Sequence, residues 1–132
     1  MSLTIDTSAV LAVLLNEPER PALLAATRRA TLEAAASLPW EIGNALVTLS
    51  RRRAASVKAI RQAWAAFAAV PIRYVAVEVD SALQLAVAHG LYAYDAYVIE
   101  AARSSGSPLL SLDRRQTSVA RALGIEVLEI TR

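Results

Sequence analysis

Four carboxylates, Asp6, Glu41, Asp95 and Asp113, each fall where a short apolar run ends or an apolar helical pattern begins. Three of the chain's only four aspartates belong to this set. A fold that gathered three such groups about 6 Å apart would meet a repulsion of ~3 kcal/mol per pair at an effective dielectric near 20, or ~8 kcal/mol in all. That rivals the ~5–15 kcal/mol stability of an ordinary domain. A cluster of this kind is tolerable only when protons or a cation neutralise it. Cysteine is absent and His89 is the one histidine, so the donors would be hard oxygens, which select magnesium or manganese. A purely local reading stands beside this one: Asp6, Thr7 or Ser8 could simply cap the helix that follows.

The same composition excludes other chemistries. Without cysteine there is no disulfide, thiolate nucleophile or zinc–thiolate site. A Ser-His-Asp triad would need His89, and no nucleophile elbow accompanies it; a solvated or helix-terminal histidine is the expectation. Haloacid-dehalogenase-type phosphatases need a second Asp two residues after the first, where Ser8 stands, and a phosphoacceptor receiver would need a lysine near the acids, whereas Lys58 lies in a basic helix. Net charge is +2, and every basic residue except Lys58 is Arg. Arg51, Arg52 and Arg53 are consecutive, with Lys58 and Arg61 close behind. Arginine's planar fork suits phosphate, so a polyanion partner is one reading; a solvated helix end is the other.

The elements that must position these groups read as alternating strands and helices. Leu3–Ile5 is a strand delivering Asp6 to an apolar helix from Ala9 to Leu15. A turn around Pro18 leads to a short helix ending near Arg28-Arg29. Residues 31–36 form a small-residue strand, although a helix could also be drawn through them. Pro39 restarts a helix over 40–49, with Ile42, Ala45, Leu46 and Leu49 as its stripe and Glu41 in its first turn. Ser56 caps a helix through Ala69, with Val57, Ile60, Trp64 and Phe67 toward the core. A strand over 72–77 precedes Asp80, an N-cap for the helix to His89, which Gly90 closes. A helix from Tyr92 to about Ser104 carries Asp95 on its buried edge. Leu109–Leu112 ends in Asp113, a helix runs over 114–123, and residues 125–130 alternate as a final strand. This pattern implies an α/β sandwich around a mostly parallel sheet with right-handed crossovers, placing Asp6 and Asp113 on one edge. At 132 residues the chain is one domain. It lacks an apolar run of ~20 residues and the basic start of a secretory signal, so no membrane association and a cytoplasmic location are expected.

Ile5-Asp6-Thr7-Ser8-Ala9, Pro39-Trp40-Glu41-Ile42-Gly43-Asn44-Ala45-Leu46, Tyr94-Asp95-Ala96-Tyr97 and Leu109-Leu110-Ser111-Leu112-Asp113-Arg114-Arg115 resemble, in order, the four signature segments of PIN domains. The chain is similar in particular to the VapC toxins of type II toxin–antitoxin pairs, over nearly its whole length. The resemblance implies a PIN-like α/β/α sandwich with four to five strands, one domain spanning 1–132. It implies Asp6, Glu41, Asp95 and Asp113 as ligands of magnesium or manganese, with Asp113 the most variable of the four and able to act through water, and with Ser8 and Ser111 in support. The implied activity is endonucleolytic cleavage of single-stranded or looped RNA, such as tRNA or rRNA, leaving 5′-phosphate and 3′-hydroxyl ends. Arg51, Arg52, Arg53, Lys58 and Arg61, with Arg114 and Arg115, would hold the backbone by phosphate contacts. A cognate antitoxin and a homodimer are the implied partners. A rival from another class is a non-catalytic RNA- or antitoxin-binding module with the same fold.

Overall fold

A computed structural model describes residues 1–53 and 55–130, Arg53 in its backbone alone. The chain runs β1 (Ser2–Ile5), α1 (Thr7–Leu14), α2 (Arg20–Thr27), β2 (Thr31–Ala35), α3 (Leu38–Arg53), α4 (Val57–Ala68), β3 (Ile72–Val75), α5 (Val79–His89), α6 (Ala93–Ser105), β4 (Leu109–Leu110) and α7 (Arg114–Ala122). The four strands pair in the order β3-β2-β1-β4, all parallel. Winding proceeds outward from β1 to β3 and then returns across the sheet to β4. The direction therefore reverses between β1 and β4, and the crevice at the carboxyl ends of such a pair is where open α/β sheets bind ligands.

Alternation along β1 sends Leu3 and Ile5 to one face and Thr4 to the other. On the first face Leu3, Ile5 and Ala34 pack against Ala9 and Ala12 of α1, Leu23 of α2, Ile42 and Leu46 of α3 and Phe67 of α4. The second face is covered by α6, which packs against β1 and β2. There Thr4 exchanges a 2.8 Å hydrogen bond with Ser107, and buried Glu33 is met by Arg73 at 2.9 Å. Val98 and Ala102 of α6 join Leu109 and Ala120 in a second apolar cluster.

Several local expectations shift. Residues 125–130 do not form a full strand: Val127 makes one parallel bridge with Leu109, because β4 is only two residues long and offers little to pair with. The third helix is longer than expected, running from Leu38 through Arg53. On α4 the covered stripe is Ile60, Ala63 and Phe67, whereas Val57 and Trp64 are exposed, since they fall on the flank of that stripe. Asp80 is not a cap. The helix begins one residue earlier, at Val79, and Asp80 sits in its first turn accepting from Gln84 at 3.0 Å. β3 stops at Val75, while Val77 packs with Ala82, Ala86 and Ala96 between α5 and α6. Ser56 caps α4 through the Ala59 amide, and Gly90 closes α5 in the left-handed region.

Candidate active site

Asp6 leaves β1 at its carboxyl end and is nearly fully buried. Its Oδ1 accepts from the Ala9 amide at 3.0 Å and from Ser8 Oγ at 2.7 Å, and its Oδ2 accepts from Ser111 Oγ at 2.5 Å. Asp6 is thus itself the N-cap of α1. Ser8 is not free to cap that helix, because its hydroxyl donates to Asp6 and accepts from the Leu112 amide at 2.9 Å, stitching the end of β1 to the segment after β4. Ser111 likewise accepts from the Asp113 amide at 3.0 Å. Burial raises the Asp6 pKa, the bonds from Ser111, Ala9 and Ser8 oppose that, and the charge of Asp113 adds to it.

Glu41 reaches the same place from the first turn of α3. Ser37 donates to its Oε2 at 3.0 Å and Thr7 to its Oε1 at 3.3 Å. Burial outweighs these two bonds, and with repulsion from Asp6 and Asp95 it pushes Glu41 up to about 7. Asp95, in the first turn of α6, is also raised, first by burial and then by Asp113, with Arg115 pulling the other way. Asp113 caps α7 by accepting from the amides of Arg115 at 3.0 Å and Gln116 at 3.1 Å.

All four acids line one pocket of about 240 Å³ together with Thr7, Ser8, Leu11, Val98 and Gln116. Each stands at the N-terminal end of a helix, where the positive end of the helix dipole favours negative charge. Desolvation still dominates at Asp6, Glu41 and Asp95 and raises all three, most clearly Glu41. Among the described residues no three of Asp, Glu, His or Cys stand close enough to chelate one ion as placed. The donor chemistry nevertheless suits a hard divalent cation: all-oxygen and multiply anionic, with Asp6, Glu41 and Asp95 raised in pKa chiefly by burial.

Sequence reasoning missed the contacts of four supporting groups. Buried Gln116 donates to the Asp95 carbonyl at 3.1 Å, tying α7 to α6. Its signal was its place three residues after a capping Asp. Thr7 and Ser37 hold Glu41, and nothing in their local sequence announces a partner on another element. Arg115 reaches back to the Gly90 carbonyl at the end of α5. The basic run, by contrast, is not at the pocket. Arg51 and Arg52 are exposed at the far end of α3, about ten residues beyond Glu41 and so ~15 Å along the helix, and Lys58 and Arg61 are exposed on α4. The Arg53 side chain lies outside the described residues.

The sequence profile of the PIN domain family matches residues 3–122. No curated protein matches the chain significantly. Among solved structures it is similar to PAE2754 of Pyrobaculum aerophilum (23% identity, 90% of this chain and 84% of that one, TM-score 0.60). It is similar also to VapC20 of Mycobacterium tuberculosis, a toxin that cleaves the sarcin-ricin loop (18% identity, 96% and 98%, TM-score 0.66). A third likeness is to VapBC2 of Rickettsia felis bound to a DNA fragment from its promoter (10% identity, 99% and 100%, TM-score 0.68).

Proposed function

The chain belongs to the PIN domain family, and we propose that it is the VapC-type toxin of a toxin–antitoxin pair, a magnesium-dependent endoribonuclease acting on single-stranded or looped RNA. The observation that carries this reading is that Asp6, Glu41, Asp95 and Asp113, far apart in sequence, line one pocket at the reversal point of a parallel sheet.

In this reading Asp6, Asp95 and Glu41 hold magnesium or manganese, with Asp113 directly or through water. A cation held there would supply charge stabilisation to the scissile phosphate and lower the pKa of water. The chain's own groups do the rest. Ser8, Ser111 and the Ala9 amide fix the orientation of Asp6. A pocket carboxylate would take the proton of the attacking water as the new P–O bond forms, while the P–O3′ bond breaks and the 3′ oxygen takes a proton from solvent. Arg115 stands beside Asp95 at the pocket's edge, where it can meet a neighbouring phosphate. Arg51, Arg52, Arg53, Lys58 and Arg61 hold RNA farther along, by contacts that position without reading sequence.

Purified protein incubated with structured RNA is expected to cut it in magnesium, to stop in EDTA, and to lose activity as Asp6→Ala or Asp95→Asn. Cleavage that survives the chelator or either substitution would sink the mechanism. RNA bound but never cut would instead support the non-catalytic module. A protein antitoxin and self-association belong to the same proposal. Val79, Leu83 and Val87, exposed and four residues apart on α5, offer apolar surface to a second copy; a chain that stays monomeric in light scattering would contradict that part.

A further inference from the structure

The chain has only seven aromatic residues, and four of them, Trp40, Tyr92, Tyr94 and Tyr97, lie within three positions of a pocket acid. Trp40 immediately precedes Glu41 and is 72% exposed; Tyr94 immediately precedes Asp95 and is 51% exposed; Tyr92 is 80% exposed. Leaving such large apolar rings in water forgoes their burial. Consecutive residues on a helix diverge by ~100°. With Glu41 and Asp95 lining the pocket, Trp40 and Tyr94 are turned out of it, which is why they are absent from its walls and open to solvent.

Both positions are also held. Trp40 follows Pro39 in the first turn of α3, and its amide donates to the Ser37 carbonyl at 3.1 Å. The Tyr94 ring packs edge-on with Tyr97, centroids 5.7 Å apart at 84°. The Tyr94 ring, placed in this way, loses little freedom on binding a flat partner.

We propose that Trp40 and Tyr94 are base-stacking platforms flanking the acidic pocket, taking the unpaired nucleobases on either side of the phosphodiester held there. This rests on the nuclease reading above and adds to it a source of preference for unpaired RNA. A base within a duplex is already stacked on its neighbours, whereas an unpaired base presents a free π-face to an aromatic ring. The occupant is a nucleobase because the phosphate drawn to the pocket carries its bases covalently with it, and Trp40 and Tyr94 are each one residue from an acid.

The test is binding read separately from cleavage. Fluorescein-labelled oligo(A) and oligo(U) dodecamers, and a duplex of the two, are titrated with the full chain in calcium in place of magnesium. Trp40→Ala and Tyr94→Ala are expected to weaken single-strand binding by about tenfold each. Trp40→Phe should recover most of the loss, and duplex affinity should not change. In a Trp64→Phe background the remaining indole should be quenched by the dodecamers, and an abasic position opposite the platform should abolish the penalty of Trp40→Ala. The proposal is overturned if the wild type binds no dodecamer, if both alanine variants bind as the parent does, or if they change self-association in size-exclusion chromatography while leaving RNA binding alone, which would make the rim a protein contact. Failure of magnesium-dependent cleavage, with these binding results intact, would count against the nuclease reading and not against the stacking.

Discussion

Glu41 carries its proton to about 7, against an ordinary 4.5, chiefly because burial disfavours the charge. Asp6 and Asp95 add repulsion, and the bonds from Ser37 and Thr7 only partly offset it. The unfolded chain releases this proton near 4.5 and the folded chain near 7. Across that window the folded state binds more protons, so its stability falls as pH rises through it and levels off above. For a group only partly buried, solvent screening reduces the effect to the order of 1–2 kcal/mol. Glu41→Gln, neutral throughout, is expected to exceed the parent in stability by that amount above pH ~7 and to show a flatter profile. Urea denaturation in EDTA from about pH 5 to about pH 8 measures both; a Gln variant as pH-sensitive as the parent would assign the dependence to Asp6 and Asp95, whose carboxyls are raised by the same burial.

At the scale of elements, the pocket depends on how α5, α6 and α7 are pinned together. Gly90 ends α5 at φ +65, and a Cβ there would meet Arg115 Nη2 at 3.2 Å. Arg115 in turn bonds the Gly90 carbonyl and stands beside Asp95. Two demands therefore fall on one glycine, a left-handed backbone and a close approach. The first dominates, because a guanidinium end can move while the backbone cannot. Gly90→Ala is expected to cost about 1–2 kcal/mol, and only a few tenths of that should disappear in an Arg115→Ala background. A double-mutant cycle from urea midpoints reads the coupling; complete rescue by Arg115→Ala would show that crowding governs.

For the whole molecule, α3 carries an acid of the site at one end and the basic run at the other, ~15 Å apart. An RNA must follow the helix to touch both. Replacing Arg51 and Arg52 by Ala is expected to weaken binding of a long single strand and to reduce its salt slope by ~0.7 for each phosphate no longer neutralised, while turnover of a dinucleotide, too short to span the gap, stays unchanged. Titrations at several salt concentrations report the slope. An unaltered slope would mean that the run is only a solvated helix end.

The order of elements, the parallel sheet and the four acids were legible in the sequence because they rest on local signals. These are apolar periodicity, a carboxylate after each of two apolar strands, and a Pro, Ser or Gly at helix ends. What stayed hidden depends on groups distant along the chain. That Asp6 both caps α1 and faces the pocket needed no choice between the two readings, since Oδ1 takes the Ala9 amide and Oδ2 takes Ser111, more than a hundred residues away. The exposure of Val57 and Trp64 followed from where α4 lies against its neighbours, and the fading of the last strand from the shortness of β4. The sequence alone determined which groups could do chemistry. The tertiary structure decided their company, because the hydroxyls, amides and like charges that set each carboxyl's proton arrive from other elements through nonlocal packing.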